Sequence, residues 1–252
     1  MLLTIDIGNT NISGGIFKGK TLKCQFDIPT RNYKKTELIR KLKTYPKISA
    51  SIICSVVPKL TATVHHDLKL ITKRNVYIIG KDLTVPIVNR YRIPKQVGQD
   101  RLVNAYAVKS LYHTPAIVID SGTAITFDVI SKNQAYLGGL IFPGMNMSLN
   151  ALKEKTALLP QVKLEQPKML IGQDTKNSML SGVVFGTAVL CKELAEKIKL
   201  LLKKNTQIIG TGGNIYLIKK YSGMKMEINK NLTLIGLRLI YEKKVAGFRK
   251  KS

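Results

Sequence analysis

Hydrophobic positions along this chain change rhythm from alternating to helical and back, and the same succession of rhythms occurs twice. Apolar runs at residues 2–5, 11–17 and 22–28 predict three strands, the last two joined by a Lys18-Gly19-Lys20 turn. Residues 34–42 then fit a short helix, 50–56 a buried strand, 60–71 a helix entered after Pro58, and 76–79 another strand. From Gly98 to His113 the apolar positions 102, 103, 106, 107 and 111 suit an amphipathic helix. The second half opens the same way, with strands at 116–119, 124–130 and 135–142, the first having the unbroken apolar look of a central strand. Pro143-Gly144 turns into a helix at 147–155, and a connector carrying Pro160 and Pro167 crosses to a long helix at 178–203. A strand at 207–209 enters Thr211-Gly-Gly213 ahead of a further helix, and a separate apolar segment at 232–235 with a helix from Leu237 closes the chain. Three leading strands and then alternating helices and strands, twice over, predict duplicated α/β domains, 1–114 and 115–252.

Length and composition agree with that plan. A chain of 252 residues, 44% of them hydrophobic, can bury two cores. No uninterrupted apolar run approaches the roughly 18 residues of a membrane span; the nearest, 183–191, contains Gly186 and Thr187. Met1 leads directly into a strand-like run broken by Asp6, so no secretory leader is expected. Cys24, Cys54 and Cys191 are odd in number and far apart, which predicts buried free thiols in a reducing cytoplasm.

Charge changes the picture more. The net charge is +26, from 41 Lys and Arg against 15 Asp and Glu. The lysines are scattered, with no long basic tract and no aromatic RNA-binding signature, so a solvated basic surface is the expectation and a nucleic-acid partner is not. The scarcity of acids is more informative. Asp6, Asp100, Asp120 and Asp128 lie in glycine-containing or strongly apolar settings, where a carboxylate is costly without a use.

Those acids sit in motifs. Asp6-Ile-Gly-Asn-Thr10 and Asp120-Ser-Gly-Thr-Ala124 each follow an apolar run, reading as strand, Asp-x-Gly turn, strand. Such a turn offers a metal-facing oxygen and backbone N–H groups for phosphate; taken singly it is as well read as a hairpin turn. Asp6 can hold Mg²⁺, and Thr123 is placed to meet a phosphate. Strand alternation puts Thr126 and Asp128 on one face, and Asp120 can bind a cation or cap local N–H groups. Gly138-Gly-Leu-Ile-Phe-Pro-Gly144 and Thr211-Gly-Gly213 are further glycine-rich strand ends, the latter suited to adenosine or its phosphates.

Gly98-Gln-Asp-Arg101 opens a helix, where the helix dipole should keep Asp100 ionised as a candidate general base. Arg101 beside it can recognise an anion, the plainer alternative being a helix cap with a surface arginine. Tyr91 can wall the same pocket. His65, His66 and His113 lack partners at metal-ligand spacing, and no Ser–His–Asp order, P-loop or dinucleotide fingerprint is present. Gly182 and Gly186, four apart on the long helix, allow close helix packing, across a dimer or within the chain.

Taken together and in order, these five motifs resemble the type III pantothenate kinases over nearly the whole chain. The resemblance implies a duplicated ribonuclease-H-like fold, shared with actin, sugar kinases and the heat-shock chaperone ATPase, with a nucleotide cleft between two domains. It implies ATP-dependent phosphorylation of pantothenate in coenzyme A synthesis by a cytoplasmic homodimer that requires Mg²⁺ and a monovalent cation, K⁺ or NH₄⁺. Position by position it gives Asp6, Ile7, Gly8, Asn9, Thr10, Asn11, Ile12 and Ser13 as the ATP phosphate loop, with Thr123 as a further ATP contact. It gives Asp100 as the proton acceptor, Tyr91, Gly98, Gln99, Arg101 and Thr175 as pantothenate contacts, and Asp120 as the monovalent-cation residue. Two alternatives share these residues: a kinase for another small hydroxy acid on the same fold, and a nucleic-acid-associated accessory factor of gene regulation.

Overall fold

The computed structural model describes residues 1–202 and 205–246. The chain divides into two compact units, one of Met1–Ser110 with the stretch from Asn231 onward, the other Leu111–Lys230. Each is built around a five-stranded sheet of the same design.

In the first unit the strands are β1 (Leu2–Ile7), β2 (Asn11–Lys18), β3 (Thr21–Pro29), β4 (Ala50–Ser55) and β5 (Val76–Ile78), in the order β3-β2-β1-β4-β5. β1, β2 and β3 form an antiparallel meander, and β4 and β5 add in parallel on the other side of β1. The second unit repeats this with β6 (Ala116–Ser121), β7 (Ala124–Ile130), β8 (Tyr136–Pro143), β9 (Gln207–Thr211) and β10 (Glu227–Ile228), in the order β10-β9-β6-β7-β8. β6 therefore stands where β1 stands, antiparallel to the hairpin that follows it and parallel to a later strand. This is the duplicated ribonuclease-H-like α/β fold.

Both faces of β1 are buried, which explains its unbroken apolar sequence. Leu3, Ile5 and Ile7 join a core with Leu38 and Leu42 of α1 (Lys35–Leu42) and Val64 and Leu68 of α2 (Pro58–Thr72). Leu2, on the alternate face, shares a second core with Ile52 and Cys54 of β4 and with Val103 and Tyr106 of α3 (Gln99–Leu111). The period of two puts Asp6 on this second face. In the other unit, Ile117, Ile119, Ile125 and Phe127 pack with Met145 of α4 (Met145–Lys155), Val184 and Cys191 of α5 (Thr175–Leu202) and Ile215 and Ile218 of α6 (Ile215–Ser222).

Four expectations need correction. The segment 232–235 and the helix from Leu237 are one helix, α7 (Leu232–Tyr241). Gly236 lies within it, and because a Cβ there would meet Val103 O at 2.7 Å, the glycine lets α7 approach α3. Secondly, α7 belongs with the first unit, since Leu234, Leu237 and Ile240 complete the core around Leu2, Phe17 and Ile52. The chain thus returns to its first unit, and the expected 115–252 domain ends at Lys230. Thirdly, α3 is enclosed rather than amphipathic, with every residue from Arg101 to Val108 buried and Leu111 exposed. Lastly, α5 is long and apolar enough to cross a membrane by length and composition, with 39% of its most apolar window buried in the structure. Its buried side chains, among them Leu180, Val184 and Ala188, give it a core role in the second unit. Its expected start at 178 moves to Thr175, with Asp174 Oδ1 accepting from the Asn177 N–H at 2.8 Å as a helix cap; its expected end at 203 lies outside the described residues.

Candidate active site

In the first unit the Asp6 turn joins β1 to β2. It closes on a Gly8 N–H to Asn11 O hydrogen bond of 2.9 Å. Asp6 and Gly8 are half-buried while Asn9, Thr10 and Asn11 are exposed. Ile7 and Ile12 are buried and anchor it in the sheet, paired with each other in register. Ser13 lies beyond the turn on β2, its hydroxyl donating to Asp27 Oδ1 at 2.5 Å.

Asp100 lies in the first turn of α3 and is half-buried. A Cβ on Gly98 would sit 2.5 Å from Asp100 Oδ1, so glycine is the residue that lets this carboxylate fold back over the chain. Its Oδ1 accepts the Arg101 N–H at 2.9 Å. Burial raises its pKa above the ordinary carboxylate range, against the opposing pull of that N–H and of the Arg101 charge. Burial is the largest of these influences. Arg101 is itself buried, 7% exposed, which corrects its alternative reading as a surface arginine.

Cys54, wholly buried and beside Asp6 in the β1–β4 register, has its thiol pushed well up by burial and then by the charges of Asp6 and Asp100. Both carboxylates thus act electrostatically on one thiol. Gln99 packs its side chain on Gly80, whose Cβ would meet Gln99 Cδ at 3.1 Å; Gly80 carried no sequence signal. Tyr91 is half-buried, its N–H bonded to Asn89 Oδ1 at 2.9 Å.

In the second unit, Asp120 is the penultimate residue of β6 and pairs in register with Thr126 and Thr211. Gly212 follows at φ 89°, and a Cβ there would meet Asp120 Oδ1 at 2.5 Å and Ser121 O at 2.6 Å. Only glycine combines that backbone conformation with that approach. The turn closes on a Gly122 N–H to Ala124 O bond of 3.0 Å and exposes Thr123. Asp128 is fully buried, accepting from Tyr136 Oη at 2.9 Å and from Thr126 Oγ1 at 3.4 Å. Thr175 is exposed at the start of α5. Among the described residues, no three His, Cys, Asp or Glu side chains are grouped to hold a metal ion.

The family model for type III pantothenate kinase matches residues 2–197. A type III pantothenate kinase of Finegoldia magna is 43% identical over 252 residues, covering 95% of this chain and 96% of that protein. Among solved structures, a protein of Campylobacter jejuni described as a Baf family transcriptional activator superposes with a TM-score of 0.62 at 22% identity, over 96% of this chain and 98% of that one. A protein of Porphyromonas gingivalis described as an N-acetylglucosamine kinase superposes with a TM-score of 0.51 at 12% identity, over 97% and 99%. At such identities the two structures speak for the fold alone.

Proposed function

The chain belongs to the type III pantothenate kinase family and phosphorylates pantothenate with ATP in coenzyme A biosynthesis, and we propose that Asp100 is the base for that transfer. The observation that carries this role is the setting of Asp100, a carboxylate with a raised pKa in the first turn of α3, folded back against Gly98. A raised pKa suits a group that must take a proton and release it again. Asp100 takes the hydroxyl proton of pantothenate as that oxygen forms its bond to the γ-phosphorus. The bond from the γ-phosphorus to its bridging oxygen breaks, and ADP leaves. Positioning and charge neutralisation carry most of the catalysis in such transfers.

ATP and a divalent metal serve the reaction of this family. A half-buried carboxylate beside the exposed turn would suit a Mg²⁺ that arrives with ATP, which would neutralise phosphate charge. We assign that carboxylate to Asp6 and the phosphate contacts to residues 6–13, with Thr123 as a further ATP contact. Gly98, Gln99, Arg101, Tyr91 and Thr175 are assigned to pantothenate. Asp120, set against Gly212, is assigned to K⁺ or NH₄⁺. A homodimer is supported by the exposed face of α5, where Gly182 and Gly186 have open space above them beside Leu170, Ile171 and Val189. The three free cysteines are in keeping with a cytoplasmic enzyme.

The test is turnover by Asp100→Asn. The variant should fold and bind ATP but lose kcat by roughly a hundredfold or more; near-normal turnover removes Asp100 from the role. Replacing K⁺ by Na⁺ in the same assay tests Asp120, and sedimentation of the purified protein tests the dimer.

A further inference from the structure

Thr30 follows the last residue of β3 and carries no motif, yet it is bonded to the phosphate turn at two points. Its hydroxyl donates to Gly8 O at 2.7 Å and its N–H to Thr10 O at 2.9 Å. The segment then leads into α1, and its side chains reach across to α2. Tyr33 Oη donates to Asp67 Oδ2 at 2.9 Å, and Lys35 Nζ lies 3.6 Å from Asp67 Oδ1. Asp67 is buried on α2, 7% exposed, so this end of the strap is fixed to the core.

The consequence follows from peptide geometry. In a trans peptide the C=O and the next N–H point in opposite directions. Holding the carbonyls of Gly8 and Thr10 toward Thr30 therefore aims the N–H groups of Asn9 and Asn11 away from β3.

The second unit supplies an internal control. Gly144 follows Pro143 at the end of β8 as Thr30 follows Pro29 at the end of β3, and its N–H likewise donates to the turn, to Thr123 O at 3.1 Å. The closing bond of the first turn spans Gly8 to Asn11, and that of the second spans Gly122 to Ala124, so the first turn holds one more residue. Where the second unit has a glycine, the first has a threonine whose hydroxyl adds a bond to Gly8 O.

We propose that Thr30 is a positioning residue for ATP, fixing the backbone of the Asp6–Asn11 turn so that its N–H groups meet phosphate. This rests on the assignment of that turn to the ATP phosphates. The experiment is steady-state kinetics of Thr30→Val, Thr30→Ser and Tyr33→Phe, with Asn9→Ala as a change within the turn itself. Losing the hydroxyl leaves the Gly8 carbonyl without its partner, so Thr30→Val should raise KM for ATP about five- to tenfold. KM for pantothenate and the inhibition constant of adenosine, which has no phosphate, should stay within about twofold. Thr30→Ser keeps the hydroxyl and should restore KM for ATP, and Tyr33→Phe should raise it about twofold by freeing the far end of the strap. A purely structural threonine would shift all three constants together, and serine would then give no selective rescue; that result overturns the proposal. Should Thr30→Val not fold, the unchanged KM for ATP in Tyr33→Phe overturns it and a selective rise sustains it. If Asn9→Ala raises KM for ATP while the strap variants do not, only the role of Thr30 falls. If Asn9→Ala and the strap variants all leave it unchanged, the phosphate-turn assignment falls too.

Discussion

The two Asp-x-Gly turns end the central strands of sheets with one topology, and each is bonded to the residue that follows the third strand of its meander. In the first unit that residue is Thr30, and a hydroxyl completes the fastening. In the second it is Gly144, and the space is closed by backbone: a Cβ on Gly144 would run into the carbonyl oxygens of Gly122 and Thr123. Gly212 seals the other side of that turn in the same way. The difference teaches that one backbone plan can be held by a hydrogen bond or by the absence of a side chain. The two respond differently to mutation, because a hydroxyl can be replaced by another hydroxyl and an absent Cβ has no substitute.

Exchanging the two devices gives the largest expected effect. Gly144→Thr places a branched side chain against fixed carbonyl oxygens and should destabilise the second unit by about 3 kcal/mol or more, read as a lowered urea midpoint. A loss under about 0.5 kcal/mol would mean that the packing around Gly144 yields easily. Gly212→Ala combines a left-handed backbone with the approach of Ser121 O and should cost about 2 kcal/mol, measured the same way. Thr30→Gly, the reciprocal exchange, leaves the Gly8 carbonyl without its side-chain donor and adds backbone freedom, costing about 1–2 kcal/mol in thermal or chemical unfolding. Ser13→Ala should be smallest, about 0.5 kcal/mol, because the Ser13–Asp27 bond is exposed to solvent.

The units also separate by proton chemistry. As the proposed base Asp100 must be ionised to accept a proton, so kcat should fall on the acid side as pH drops through its raised pKa. The stability change has the opposite sign. The folded state holds the Asp100 proton more tightly than the unfolded chain, so this group contributes stability below its unfolded pKa that is lost as pH rises through the folded one. Asp100→Asn should therefore unfold at neutral pH no earlier than the wild type while losing turnover. An Asp120→Asn variant should lower activity without moving the acid limb. A shift of that limb would tie the second turn to the proton transfer.

Much of this was legible before any coordinates. The meander strands announced themselves by period two, and Asp6, Asp100 and Asp120 by their rarity in a lysine-rich chain beside glycine. What escaped notice depended on partners distant in sequence. Thr30 meets Gly8 across a hairpin, Gly80 makes room for Gln99, and Asp67 receives Tyr33, none at a spacing that a motif would register. The closing helix was misplaced for the same reason, since its apolar face fits a core in either half, and only packing against Leu2, Phe17 and Val103 assigns it to the first.

By itself the sequence determined local matters: strand and helix periods, the glycine turns and the duplicated plan, because each depends on neighbours a few residues apart. Tertiary structure decided which unit receives α7, how deeply Asp100 and Arg101 are buried, and what holds each turn. Burial and hydrogen-bond geometry arise from segments brought together by folding, and no short window of the chain contains both partners.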